Sequence, residues 1–482
     1  MSSAVSEARG WTEGNQDAHY ERSDMTPLLS VARPIQREIP MATDSEEELM
    51  HDSTLPLAMT SKLKLAQHRS GQRITSWQAL LAVVLPGLLA SCGGYDHGDY
   101  CFQCGPPGPQ TEVSLGVVSA DFNKDGFADV VALSTDEPAS AADASNLKAY
   151  LSVAAGEFAT PTLTPDGNNP LYLATADLTG DGLNDVVSAS ADDGVLRVFL
   201  NDKLSPGTFN TPLVLASPGA SQLAIADVNG DGLPDLVSAD FNVSLFVQTS
   251  PGTFAAPVSL YSGGANWVAV GDLNDDGAPD IALTDNVGVK ILMHTGAASA
   301  TTYAAPVSVF TPTANQNVAG TSIIAIADVN GDGLKDLIIT DPGPTGGMSP
   351  TVNVLVQESA AHGTFATPVS YPIAAQDLPQ SIMVADLEGD GHLDIIIGGQ
   401  QTVTVLLHDP ANPGAFLAAT IYPAPGANEI AIADVNGDGK PDIVVSNGVT
   451  NPTQNGVVTT HPGVLLQSAT TPGTFGALQD LP

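Results

Sequence analysis

Seven nine-residue stretches carry the residues best suited to chemistry in this chain. They are DFNKDGFAD from Asp121, DLTGDGLND from Asp177, DVNGDGLPD from Asp227, DLNDDGAPD from Asp272, DVNGDGLKD from Asp328, DLEGDGHLD from Asp386 and DVNGDGKPD from Asp434. In the third, Asp227, Asn229, Asp231 and Asp235 place side-chain oxygens at positions 1, 3, 5 and 9. Leu233 offers its backbone carbonyl at position 7, and Gly232 at position 6 permits a sharp turn. Hard oxygen donors in that number, curled round one centre, suit Ca²⁺ rather than zinc or copper. EF-hands begin the same way but need a bidentate Glu at position 12, where this chain has Ala132, Ser188, Ser238, Leu283, Ile339, Ile397 and Val445. Strand-like sequence flanks every loop, so an EF-hand is excluded.

The elements that position these loops repeat with them. Successive first aspartates are 56, 50, 45, 56, 58 and 48 residues apart. A second landmark travels in register: an aromatic after a small or glycine-rich turn, at Phe158, Phe209, Phe254, Tyr303, Phe365, Phe416 and Phe475. Each unit reads as four short strands; in the third these are LAIAD, PDLVSA, VSLFVQ and APVSLY. No stretch after residue 105 has a convincing helical period. Repeated four-stranded units of about 45–50 residues predict an all-β, seven-bladed β-propeller of four-stranded antiparallel blades with calcium-binding loops, spanning residues 113–482. The chain starts at a first strand and ends after a fourth, so blade packing is the expected ring closure.

On these motifs the chain resembles the FG-GAP or VCBS repeat proteins, whose integrin-α-like seven-bladed propellers bind Ca²⁺ in loops joining the first two strands of a blade. The likeness covers about three-quarters of the sequence. It implies up to seven structural Ca²⁺ ions, each held by residues 1, 3, 5, 7 and 9 of a loop. The first loop then uses Asp121, Asn123, Asp125, Phe127 and Asp129, and the second Asp177, Thr179, Asp181, Leu183 and Asp185. The third is that already described. The fourth uses Asp272, Asn274, Asp276, Ala278 and Asp280, and the fifth Asp328, Asn330, Asp332, Leu334 and Asp336. The sixth uses Asp386, Glu388, Asp390, His392 and Asp394, and the seventh Asp434, Asn436, Asp438, Lys440 and Asp442. Thr179 is a weaker third ligand, and Glu388 is longer than the usual Asp or Asn. Position 7 serves through its carbonyl, so its side chain is free to vary.

Charge agrees with a cation-binding role. The chain carries 53 acids against 15 bases, a net charge of −38, and repels phosphate backbones; nucleic acid is excluded as a partner. The acids recur at fixed spacing rather than in runs. No nucleophile elbow, Walker loop, zinc-ligand spacing or dinucleotide fingerprint occurs. His294, His362, His392, His408 and His461 read as surface or turn residues, and Lys124, Lys335 and Lys440 as tempering charge within the loops. The expectation is a non-enzyme, a binding, adhesion or scaffold module for protein or carbohydrate. A polysaccharide-lyase or phospholipase-like enzyme on the propeller is the alternative, and it needs His, Tyr, Lys or Arg converging on the axis.

Ahead of the repeats, residues 1–58 are polar and without periodicity, and read as disordered or as mis-annotated upstream sequence. Residues 59–91 combine a basic stretch (Lys62, Lys64, Arg69, Arg73) with the apolar run SWQALLAVVLPGLLA, the pattern of a secretory signal peptide. Leu89-Ala90-Ser91-Cys92 resembles the bacterial lipobox, which implies lipidation of Cys92 and anchorage in the cell envelope. Residues 92–112 read as a flexible tether. Within it Cys101 and Cys104 form a C-x-x-C, for which an exported chain favours a local disulfide over zinc or redox roles.

In an up-and-down blade the calcium loops and aromatic turns share one face. The opposite face receives the long insertions 134–146, 311–322, 340–350 and 446–463, so a protein or carbohydrate ligand is expected there, bound by a monomer.

Overall fold

The computed structural model describes residues 116–135, 145–296, 301–312, 322–343, 350–375, 377–451 and 459–481. The N-terminal segments expected above, with Cys92, Cys101 and Cys104, lie outside the described residues. So do 136–144, 313–321, 344–349 and 452–458, which hold most of the four insertions.

Alternating short runs of Val, Ile, Leu and Ala, punctuated by Gly, Pro and Asp, form seven four-stranded antiparallel sheets. Blade 3 is representative: Gln222–Ala226, Asp235–Ala239, Val243–Phe246 and Val258–Tyr261 pair in sequence order. The blades begin at Val117, Tyr172, Gln222, Trp267, Ile324, Pro379 and Ile430. No helix occurs among the described residues. Each first strand lies beside the first strands of both neighbouring blades. Ile430–Ala433 of blade 7 lies beside Val117–Ala120 of blade 1, which closes the ring. Blade 7 takes its fourth strand from its own Gln479–Asp480, so closure is by packing, as expected.

The alternation within the first strands has a cause that a half-buried strand would not supply. Both faces are covered, one by each neighbouring blade. Ala174 and Ala176 of blade 2 share a core cluster with Leu223 and Ile225 of blade 3, and Ala325 and Ala327 of blade 5 one with Ile382 and Val384 of blade 6. Small residues on one strand leave room for large ones on the next. At Gly271 the fit is tightest: a Cβ there would meet Ile326 Cγ2 at 2.8 Å.

The first strand is also the inner edge of its sheet, and its axis-side N–H and C=O groups have no strand partner. At three of the seven loops the side chain five residues earlier, Gln222, Trp267 or Glu429, reaches across to the next blade and takes some of them up. Gln222 accepts from Val268 N (2.9 Å) and donates to Val268 O (3.2 Å), and Trp267 Nε1 donates to Ile324 O at 3.0 Å. Tyr172 packs edge-on against Trp267, with centroids 5.6 Å apart.

Candidate metal centre

All seven loops fold alike. The first aspartate receives the N–H of residue 5 on Oδ1 and that of residue 6 on Oδ2, at 3.0 and 2.9 Å for Asp121 and at 3.1 and 2.8 Å for Asp328. The aspartate at position 5 receives the N–H of residue 7, as Asp231 does from Leu233 at 2.9 Å. In the five loops with Asn at position 3, its Oδ1 accepts the same residue-5 N–H that position 1 accepts. One N–H shared by two side-chain oxygens sets those oxygens side by side. Thr179 and Glu388 replace this Asn in loops 2 and 6. The glycine at position 6 has φ between +84° and +91°, with open space where its Cβ would be in most of the loops, so backbone conformation alone demands it.

Position 9 behaves differently. Its carboxylate is buried in every loop. Asp129 accepts from Phe122 N (2.9 Å), Asn123 N (3.3 Å) and Ser152 N (2.7 Å). Asp235 accepts from Val228 N and Gln248 N, and Asp442 from Val435 N and Gln467 N. This aspartate staples the start of its loop to the end of the third strand. Burial pushes Asp129, Asp185, Asp235, Asp280, Asp336 and Asp442 up to about 6, and loop carboxylates at positions 1 or 5 push in the same direction. Glu388 is raised by burial and then by all three aspartates of its loop.

The structure thus gathers positions 1, 3 and 5, and holds position 9 a little apart but within reach of their charge. Among the described residues no three Asp, Glu, His or Cys side chains form a ready-made cage. What each loop offers is a set of hard oxygens carrying net negative charge, and that donor set fits Ca²⁺.

The aromatic turns prove to be interblade parts. Each turn packs on the loop of the preceding blade, so loops and turns do share a face. Gly252 N of blade 3 donates to Leu178 O in loop 2, and Gly156 N of blade 1 to Val435 O in loop 7. Phe209 stacks edge-on against Phe122, the second residue of loop 1, at 5.7 Å. At Gly414, with φ +78°, a Cβ would sit 3.0 Å from Asn330 Cβ. The two landmarks keep register because they touch across blades.

Sequence reasoning missed a buried polar row at the end of the third strands: Ser152, Asn201, Gln248, His294, Gln357, His408 and Gln467. Their backbone N–H groups bond position 9. Their amides tie loop to turn, as Gln248 does by donating to Pro234 O (2.7 Å) and accepting from Gly252 N. The available signal was a polar residue six to nine places before each turn aromatic. His294 and His408 belong to this row and are buried, which corrects their reading as surface or turn residues. His408 stacks on His392 of loop 6 with centroids 4.3 Å apart. Lys124 Nζ donates to Asp181 O in the neighbouring loop, and Lys440 Nζ to Ser468 O.

Away from the loops, the hollow lined by Ile373, Asp377, Thr402 and Thr404 has its acid engaged by Gln401 N and Thr402 Oγ1. No described helix is long and apolar enough to cross a membrane.

The model of the FG-GAP-like repeat matches six overlapping spans: 121–188, 177–238, 227–283, 272–339, 328–397 and 386–445. No curated protein matches the chain. Solved structures resemble it in architecture. A lectin of Agrocybe aegerita recognising non-reducing terminal N-acetylglucosamine is 21% identical, with 64% of this chain and 80% of that chain covered and a TM-score of 0.45. The V. cholerae biofilm matrix protein Bap1 is 14% identical over 74% and 87% of the two chains (TM-score 0.38). The periplasmic gluconolactonase of Pseudomonas aeruginosa is 13% identical over 63% and 84% (TM-score 0.40).

Proposed function

The chain belongs to the FG-GAP-like repeat family, its repeats running from residue 121 to residue 445, and on that premise we propose that it is a calcium-stabilised, non-catalytic propeller that binds protein or carbohydrate at the bacterial cell envelope. The observation that carries the calcium part is the sevenfold recurrence of one loop in which shared backbone N–H groups gather the side-chain oxygens of positions 1, 3 and 5 beside the buried carboxylate of position 9. A bound Ca²⁺ would supply positive charge to that cluster. Positions 1, 3 and 5 and the carbonyl of position 7 hold it, and position 9 is the fifth ligand that the family pattern adds.

Binding rather than catalysis is the reading that the placement of the polar groups supports. The oxygen-rich loops are fasteners between strands and between blades, and oxygen-saturated calcium sites leave little room for substrate. At the axis, Gln222, Trp267 and Glu429 are engaged with backbone groups of neighbouring blades. The reading assigns the ligand to the face opposite the loops, which receives the connections between second and third strands and between blades. Export by the segment 59–91 and lipidation at Cys92 would place the propeller outside the cytoplasm, where millimolar calcium suits loops of this kind. Glycan-array and pull-down screens of the full chain, with calcium and with chelator, test the reading. Capture of a defined ligand supports it, and turnover of a polysaccharide or phospholipid without stable capture overturns it.

A further inference from the structure

Blades 7 and 1 are sequence-distant neighbours, and among the described residues no strand is exchanged across their joint. Apolar packing of Val117 and Val130 against Ala431, Val444 and Leu481 forms its core. At the axis end away from the loops, Glu429 of blade 7 crosses the joint. Its Oε2 accepts the N–H of Val117 at 2.8 Å, from 312 residues away in sequence. The same carboxyl accepts the N–H of Leu173 in blade 2, so one side chain ties three blades. The crossing is open because residue 116 is glycine. A Cβ there would lie 2.9 Å from Glu429 Oε2 and 2.7 Å from Leu133 Cδ1. Ser446 pins the Glu429 backbone from both sides, its Oγ accepting Glu429 N and its own N–H donating to Glu429 O.

The carboxyl is 7% exposed and has two backbone N–H groups in place of a counter-ion. The joint between blades 1 and 2 shows the contrast. There the buried Asp166 of blade 1 has Arg197 of blade 2 beside it, 4.0 Å from Oδ1, and Arg197 also pairs with Asp193. From the elements packed on Glu429, blade 2 presents Tyr172, whose phenol is itself pushed up by burial and by Glu429. Blade 1 presents Gly116, Val117 and Leu133, and blade 7 presents Ser446. Among the described residues Tyr172 is the ionisable group facing Glu429, and it adds no positive charge.

We propose that Glu429 is a pH-operated clasp of the ring, which as a neutral acid holds blades 7, 1 and 2 together at the axis and on losing its proton loosens that joint. An ionised carboxylate in a dry site without a cation is costly, and a neutral acid keeps both N–H bonds at little cost. Burial raises Glu429 well above the ordinary value of 4.5. A carboxyl raised on folding contributes stability that is complete below its unfolded value and lost as pH rises through its folded value. The joint therefore weakens on the alkaline side. This inference stands whether or not the loops hold calcium.

Hydrogen exchange read by mass spectrometry from pH 6 to pH 9.5 tests it, on the full chain and on Glu429→Gln, in saturating calcium and again in chelator. Glutamine keeps an oxygen acceptor and cannot ionise. In the wild type, protection factors for peptides over 116–120 and 171–175 fall by up to about tenfold per pH unit, the slope for one proton, as pH climbs towards the raised folded value of Glu429, and level off above it. In Glu429→Gln they stay level, and the blade 4 strand 267–271 stays level in both proteins. Parallel profiles for wild type and Glu429→Gln overturn the clasp. So does a Glu429→Gln protein already unprotected at pH 6, since that means the negative charge itself is required.

Discussion

The two ends of the seven first strands could hardly differ more. At one end every strand runs into the same loop, with the same bonds onto Asp at position 1 and the same buried Asp at position 9. At the other end, five residues earlier, stand Gly116, Tyr172, Gln222, Trp267, Ile323, Ser381 and Glu429, no two alike. Sevenfold repetition means that damage to one loop removes a fraction of a shared function. Individuality means that each axis residue does one job in one place. The fastening is at the repeated end, and what distinguishes one blade from another lies at the other.

Calcium removal should break the repeated end most severely. With Kd about 10⁻⁴–10⁻³ M, as in extracellular modules, each site at ~10 mM calcium adds about 1.4–2.7 kcal/mol. Seven sites acting together shift the melt of a domain this size by more than about 10 °C. The pH dependence should reverse sign with the metal. In chelator, six position-9 carboxyls raised to about 6 stabilise the fold below their ordinary 3.8, and that contribution is lost as pH rises through about 6. The chelated protein accordingly melts higher at pH 5 than at pH 7.5. With calcium the carboxylates must be ionised, so the order inverts. Melts at the two pH values, each with and without calcium, read both effects.

Within a single loop, Asp235→Ala and Asp227→Ala separate two jobs that one motif combines. Asp235→Ala leaves the buried N–H groups of Val228 and Gln248 unpaired and costs about 3 kcal/mol in chelator, and more in calcium, where a ligand is lost as well. Asp227→Ala frees N–H groups of the exposed residues Asp231 and Gly232. It costs about 1.4–2.7 kcal/mol in calcium and less than about 0.5 kcal/mol in chelator, by denaturant unfolding. Smallest is Gly414→Ala, at about 1–2 kcal/mol, from a strained φ and contact with Asn330. Calorimetric calcium binding to that variant should weaken at loop 5, which tests whether turn and loop act across the blade boundary.

The repeated end was readable in sequence because repetition is itself the signal. Seven loops counted seven blades, and IAIAD announced a strand. Why that alternation exists was not readable, because Ile326 meets Gly271 of another blade and nothing within a single unit says so. The staple at position 9 escaped because its partners are backbone N–H groups, identical in every residue type. Ser152, Gln248 and His408 do one job with three different side chains. A lone histidine's hydropathy carries no information on burial, and His294 and His408 were misread for that reason. Glu429 was invisible as a joint, since its partner Val117 is at the other end of the propeller sequence.

The central claim is that the acidic loops are calcium fasteners, and a thermal melt of the intact protein tests it most directly. Two samples suffice, one at ~10 mM calcium and one in excess chelator, both at pH 7.5. The account predicts a melting temperature higher in calcium by more than about 10 °C. Superimposable melting curves would contradict it.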